Sequence, residues 1–421
     1  MSQALHGGGV RQAADRFGLP LESFIDFSSN VNVLAPAVPA GDWKAWMSEI
    51  HRYPEPAELK EQLGSFYNVR VEHLLPTAGA IEALYLSARL FAGCKVAVVE
   101  PSFSDYSRAF SSVPCSVERI LLTPELWTRS IREWTDRLEP FDVVVLGNPN
   151  NPTGTFQSLA TLTALVDRPW GRPKHWIVDE AFIEFVTEYE HETLLSRLSD
   201  YPSLIVLRSL TKSWRIPGLR FGFLATASRL EELERMQPPW SVNGVVHAWA
   251  REFLRQEHRA EYLASLRTLA MLRDDFEASL RPIPGITVHL SAVNFLLLEL
   301  TDSSLEATHI YSELGRRGIL VRTCDSFYGM PKGRFIRVAV RTAAENQRLV
   351  DVLSKVCGKL GDRTAREDPT SPSERTNNHE TTGYVGQAAR PPCERRERPI
   401  AQSPITNHQS PLTSHTDGRA A

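Results

Sequence analysis

The chain has little excess charge of either sign. Its 47 Lys and Arg stand against 50 Asp and Glu, a formal net charge of −3. That excludes the strong basic footprint of a dedicated nucleic-acid binder. No apolar run reaches the length of a membrane span, and the opening MSQALHGGGVRQ lacks the charged and apolar regions of a signal peptide. Cysteine is sparse: Cys94, Cys115, Cys324, Cys357 and Cys393 are an odd number with no CxxC pair. A disulfide framework or zinc ribbon is therefore not expected, nor any other metal site. No internal repeat is visible. These absences leave an expectation of a soluble, cytoplasmic enzyme or ligand-binding protein with no nucleic-acid or membrane partner.

What is present is a chain of 421 residues, 42% hydrophobic, long enough for two domains or one large domain with a satellite. Composition shifts near Gly361. From there to Ala421 stand seven Pro, one Leu, two Ile, one Val and no Phe or Trp, too little apolar surface to offset ordering entropy, so 361–421 reads as a disordered tail. Before it, Lys95–Glu100, Asp142–Gly147, His175–Asp179 and Leu204–Arg208 are near-continuous Val, Ile and Leu, as in strands covered on both faces. Helical patterns at Ala80–Ala92 and Ser228–Met236 alternate with them. The alternation predicts an α/β fold with a mainly parallel sheet over 46–250. One long helical pattern, Val245 to about Leu280, leads into a smaller α+β domain over 251–360. There Asn294–Glu299 and Phe335–Val340 read as strands, and Leu305–Arg317 and Ala344–Leu360 as helices. Residues 1–45, rich in Gly, Pro and Asn, read as an N-terminal arm.

Five segments carry candidate chemistry. In Ser209–Phe223 (SLTKSWRIPGLRFGF), Lys212 follows a strand, with Ser209 three residues before and Arg220 eight after. A desolvated lysine there can form a Schiff base with an aldehyde, and a serine with an arginine fork suits a phosphate. A lone lysine after a strand is usually a surface residue; the spacing to Ser209 and Arg220 tips the balance the other way. In Gly147–Gly154 (GNPNNPTG), Pro and Gly make a turn, but turn-making does not explain Asn151. In Ile177–Phe185 (IVDEAFIEF), Asp179 ends an apolar strand, where a carboxylate needs a partner; an N-cap is the plainer alternative. Pro76–Ala83 (PTAGAIEA) opens a helix with small residues, whose free N-terminal N–H groups could cradle a phosphate, though many helices begin this way. Glu100–Tyr106 (EPSFSDY) places Phe103 beyond a strand end, where it could stack on a planar ligand or simply join the core.

Together and in this order, these segments resemble the pyridoxal-phosphate enzymes of the aspartate aminotransferase fold (fold type I, class I/II aminotransferase-like), over nearly all of residues 1–360. The resemblance implies pyridoxal 5′-phosphate as cofactor. It implies that Lys212 holds the cofactor covalently, Asp179 pairs with the ring nitrogen, Asn151 bonds the ring hydroxyl and Phe103 stacks on the ring. Ala80, Ile81, Ser209 and Arg220 match the phosphate cup, and Arg337 (in RFIRVAV) the arginine for a substrate carboxylate. Many relatives carry tyrosine three residues after the aspartate; here that position is Phe182.

Further stretches resemble one branch, the threonine-phosphate decarboxylases of cobalamin synthesis: His6-Gly7-Gly8, DFSSNVN at Asp26–Asn32, RSLTK at Arg208–Lys212, PWSVN at Pro239–Asn243, and RFIRVAVRT ending at Thr342. That branch also has phenylalanine at the position of Phe182. The resemblance implies decarboxylation of a phosphorylated amino acid, L-threonine O-3-phosphate. His6, Gly7, Asn30, Asn151, Arg322 and Arg337 would touch the substrate, with Arg341 a secondary candidate. It also implies a homodimer. The rival is histidinol-phosphate aminotransferase, which normally shows tyrosine at the Phe182 position and glycine at the Arg341 position. A non-catalytic cofactor-binding module is a more distant alternative.

Overall fold

The computed structural model describes residues 7–36, 43–123 and 135–364. Among them the strands are, in chain order, β1 (Ile25–Asp26), β2 (Leu74–Thr77), β3 (Lys95–Glu100), β4 (Ser116–Leu121), β5 (Val143–Gly147), β6 (His175–Asp179), β7 (Leu204–Ser209), β8 (Gly222–Ala225), β9 (Ile286–Val288), β10 (Phe295–Leu300), β11 (Ile319–Leu320), β12 (Arg322–Thr323) and β13 (Phe335–Ala339). The large sheet has the order β2-β8-β7-β6-β5-β3-β4, all parallel except β8, which runs antiparallel between β2 and β7. Its central strands bury both faces, which explains their unbroken Val and Ile. Val96, Val98, Val143, Val145, Ile177 and Ile205 join one core with the Ala80–Leu90 and Asp105–Ser111 helices. Their neighbours Ala97, Val144, Val178 and Val206 point to the other core, the period-2 alternation of a pleated strand.

The second sheet, β12-β13-β10-β9, is antiparallel. The N-terminal segment joins it to the rest. β1 pairs in parallel with β11, Ile25 opposite Ile319, and Phe27 exchanges backbone bonds with Leu320 and Ala339. The same segment then reaches the large sheet, where Asn32 N donates to Lys212 O at 2.8 Å and Asn32 Nδ2 to Ser213 O at 3.1 Å. The expected arm also holds a helix, Val10–Phe17, closed by Gly18 in the left-handed region.

The single long helix expected from Val245 to Leu280 is two helices, Gly244–Phe253 and Gln256–Leu280. Neither Pro nor Gly breaks it. Packing supplies the reason. Phe253 and Tyr262, nine residues apart, would sit on opposite sides of one continuous helix. Yet both rings contact Trp214, at 6.2 Å and 4.0 Å between centroids, which only a re-aimed chain allows. The final helix runs Ala343–Thr364, so the expected tail lies, apart from its first four residues, outside the described residues. No helix among the described residues is long and apolar enough to cross a membrane.

Candidate active site

A cavity of about 390 Å³ opens at the C-terminal ends of β5, β6 and β7, bounded on its other side by β12 and β13. This is where an open parallel sheet leaves a crevice for a ligand. Lys212 enters it from the short helix Leu210–Ser213 that follows β7. Burial pushes its amine down to about 8; Asp179 opposes the shift, while Arg337 and Arg220 add to it. The amine lies 5.1 Å from the centre of the Phe182 ring.

Asp179, the last residue of β6, accepts from Tyr106 Oη at 2.7 Å and from Ala181 N at 2.8 Å. Burial raises its carboxyl above the ordinary value; those two bonds and Lys212 pull it back. Phe103 lines the cavity edge-on to Tyr106, their centroids 5.7 Å apart. Phe182 forms the adjoining wall, packed edge-on against Phe295.

Ser209, Gly222 and Thr77 are register partners across β7, β8 and β2. That alignment sets Ser209 beside the start of the Ala80–Leu90 helix. Gly79 precedes the helix at φ 82, and a Cβ there would stand 2.9 Å from Arg220 Nη2, so only glycine lets the guanidinium close over the helix end. Arg220 itself sits at φ 58, a conformation that costs free energy and clusters at functional sites. The Ala80 and Ile81 N–H groups have no acceptor within the helix and line the cavity. A serine hydroxyl, an arginine fork and two free helix N–H groups converge as a cradle for a phosphate.

Opposite the cradle, Arg322 and Arg337 are direct cross-strand partners of β12 and β13. Both are buried, 7% and 6% exposed, although like charges so placed repel. Arg322 Nη2 donates to Ser326 Oγ at 2.6 Å. Arg337 Nη1 donates to Asn151 Oδ1 and Nη2 to Ser28 O at 3.2 Å, both neutral oxygens, and its Nε is buried without a partner. Burial pushes the Arg337 guanidinium down to about 10. Asn30 Oδ1, on the same wall, is also buried without a partner. Gly7 presses on this segment: a Cβ there would meet Ser28 O at 2.1 Å.

The cavity thus gathers every expected site residue except His6, which lies outside the described residues. Arg341 is not part of it. Its Nη1 donates to Asp26 O at 3.1 Å and its Nη2 pairs with Glu345 at 2.9 Å, so it anchors the N-terminal segment and the last helix. Tyr106, which holds Asp179, escaped sequence reasoning, as did Ser326 beside Arg322. The signal for Tyr106 was its place three residues after Phe103, in the first turn of the helix Asp105–Ser111.

No group of three His, Cys, Asp or Glu that could hold a metal occurs among the described residues. A planar, phosphate-bearing, aldehyde-bearing cofactor fits the donor set. The cradle suits its phosphate, Lys212 its aldehyde and Asp179 a protonated ring nitrogen at the far end.

Comparison with known proteins gives the family. Residues 23–353 match the family model "Aminotransferase class I and II". The chain is 32% identical over 363 residues to the threonine-phosphate decarboxylase of Salmonella typhimurium, covering 83% of this chain and 96% of that protein. It is 30% identical over 355 residues to the histidinol-phosphate aminotransferase of Symbiobacterium thermophilum, covering 81% and 92%. A solved decarboxylase from Sulfurospirillum multivorans superposes with a TM-score of 0.74 at 26% identity, covering 85% of this chain and 94% of that one. This chain belongs to the class I and II aminotransferase family, whose enzymes work with pyridoxal 5′-phosphate.

Proposed function

We propose that this chain is a pyridoxal-phosphate-dependent decarboxylase. It converts L-threonine O-3-phosphate to (R)-1-amino-2-propanol O-2-phosphate and carbon dioxide. The observation that carries this reading is the buried pair Arg322 and Arg337, two cations side by side on the cavity wall. A substrate bearing a carboxylate and a phosphate matches a wall that carries two cations. Phe182, where transaminating relatives of the fold often have tyrosine, supports the same choice.

Ala80, Ile81, Ser209 and Arg220 would hold the cofactor phosphate, Asp179 the ring nitrogen, Asn151 the ring hydroxyl and Phe103 the ring face. The bound cofactor supplies an electron sink for the pair left behind when carbon dioxide departs. The protein does the rest. Tyr106 and the Ala181 N–H favour the charged form of Asp179 against the burial that raises it. Arg322 and Arg337 hold the two anionic ends of the substrate, and Asn30 Oδ1 offers an acceptor that orients it. Lys212, its amine near 8, is partly neutral at physiological pH. In its protonated form, Nζ can give a proton to the carbon that has lost the carboxylate, and it is left as the neutral amine. A homodimer belongs to the same reading; the exposed side chains of Trp43, Met47, Ile50 and Trp240 offer an apolar surface for it.

The test is an assay of the purified chain with cofactor and phosphothreonine. Carbon dioxide and the amino-alcohol phosphate should form without any keto-acid acceptor. Brisk 2-oxoglutarate-dependent transamination of histidinol phosphate, with no carbon dioxide from phosphothreonine, would sink the reading.

A further inference from the structure

On the face of the large sheet away from the cavity wall, the strands that carry Asp179 and Ser209 bear a second set of charges. Glu180 follows Asp179, and Arg208 precedes Ser209. Arg208 Nη1 lies 3.1 Å from Glu180 Oε2, and Nη2 lies 3.2 Å from Glu184 Oε1. All three are buried. The carboxylates are otherwise engaged: Glu180 accepts from Thr193 Oγ1 at 2.6 Å and Leu194 N at 2.8 Å, and Glu184 from Tyr67 Oη at 2.8 Å. Desolvation offsets much of the attraction within a buried ion cluster, so added stability is a poor account of it.

Its position suggests another account. The pairing of β6 with β7 ends at Asp179 opposite Leu207, and Glu180 N to Leu207 O is the last backbone bond there. Beyond that point nothing in the ladder sets the distance between the two chains. One guanidinium does: it grips the turn Asp179–Phe185 at Glu180 and again at Glu184. Phe182 lies between these two grips. Arg208 is also four residues before Lys212, joined to it through the short helix. We infer that Arg208, acting through Glu180 and Glu184, is a positioning residue that fixes Asp179 and Phe182 relative to Lys212. The inference rests on the reading that Asp179 and Lys212 hold one cofactor between them.

Arg208→Lys and Glu184→Gln, each in the full chain reconstituted with pyridoxal 5′-phosphate, test it. Lysine is a point charge that cannot bridge two carboxylates as a planar fork does. Glutamine keeps the volume and the acceptor for Tyr67 but loses the charge. In both variants kcat for phosphothreonine should fall about tenfold with KM within about twofold. The pH midpoint of the visible absorbance of the lysine-bound cofactor should move from that of the parent. Variants that match the parent in turnover and midpoint, whatever their melting temperature, overturn the inference alone and leave the cluster purely architectural. A parent chain without a lysine-bound cofactor band overturns the functional reading, and this inference with it.

Discussion

Arg208 and Arg337 are the same residue in equally dry places, 1% and 6% exposed, yet their surroundings are opposite. Arg208 sits between two carboxylates and above the Tyr67 ring at 5.1 Å. Burial alone would lower its affinity for a proton, but Glu184 and Glu180 outweigh it and the guanidinium is held more firmly protonated than usual. Arg337 donates to the neutral oxygens of Asn151 and Ser28 and lies over the face of Phe295; burial pushes it down to about 10, with Arg322 adding to the shift and Cys324 and Asp26 opposing it. A buried cation whose counter-charges are part of the chain is architecture. One surrounded by neutral oxygens, with a dry unpartnered Nε, is built for an anion that arrives from outside. The contrast locates the site without reference to any motif.

Replacing each arginine by methionine should break the comparison in opposite ways. Arg208→Met strands two buried carboxylates, which should cost about 3–5 kcal/mol of stability, read as an earlier urea midpoint. Arg337→Met removes an uncompensated charge, so the urea midpoint of the cofactor-free chain should stay level or rise. Its cost should appear in function instead. Loss of a charge-assisted contact to the substrate should take about 2 kcal/mol or more from binding or turnover, roughly a thirtyfold drop in kcat/KM. If Arg337→Met instead destabilised the free chain as much as Arg208→Met, the two sites would not differ in kind.

The sequence made one side of this comparison far easier to see than the other. β3, β5, β6 and β7 were legible because strands covered on both faces are apolar without interruption. The site was legible because its residues fall in short segments at strand ends: GNPNNPTG, IVDEAF and SLTK. Pairing across the fold was not legible. β8 hides in the RFGF that ends a motif, and its antiparallel place between β2 and β7 depends on partners about 15 and 150 residues away. The Arg208 cluster joins β7 to a turn nearly thirty residues upstream, and Tyr106 reaches Asp179 across 73 residues. The split between Phe253 and Gln256 has no breaker residue and is set by the aromatic core around Trp214. Arg341 was drawn toward the site by its nearness in sequence to Arg337, but its partners Asp26 and Glu345 hold it elsewhere.

The smallest effect concerns Lys212, a third buried cation, which feels the charge of Arg337. Its amine is near 8 in the fold, against about 10.4 in an unfolded chain. Between these values the unfolded state binds more protons than the folded one, so this group makes stability rise with pH across roughly pH 8–10.4. Other groups oppose it within that window, a thiol from about pH 8.5 and the phenols from about pH 10. Cys324 is pushed up to about 12, and Tyr67 and Tyr106 are raised by burial; folding keeps all three protonated, so each lowers stability as the unfolded chain ionises. The measurement must therefore be a difference. Urea midpoints of the cofactor-free parent and of Lys212→Met, taken from pH 7 to 10, should converge as pH rises. The parent should start below the variant, because at pH 7 it still holds a charged amine in a dry cavity beside Arg220 and Arg337. Parallel curves would mean that the amine is solvated enough to keep an ordinary affinity for its proton, and that the cavity wall exerts less force on charge than the geometry of Arg337 implies.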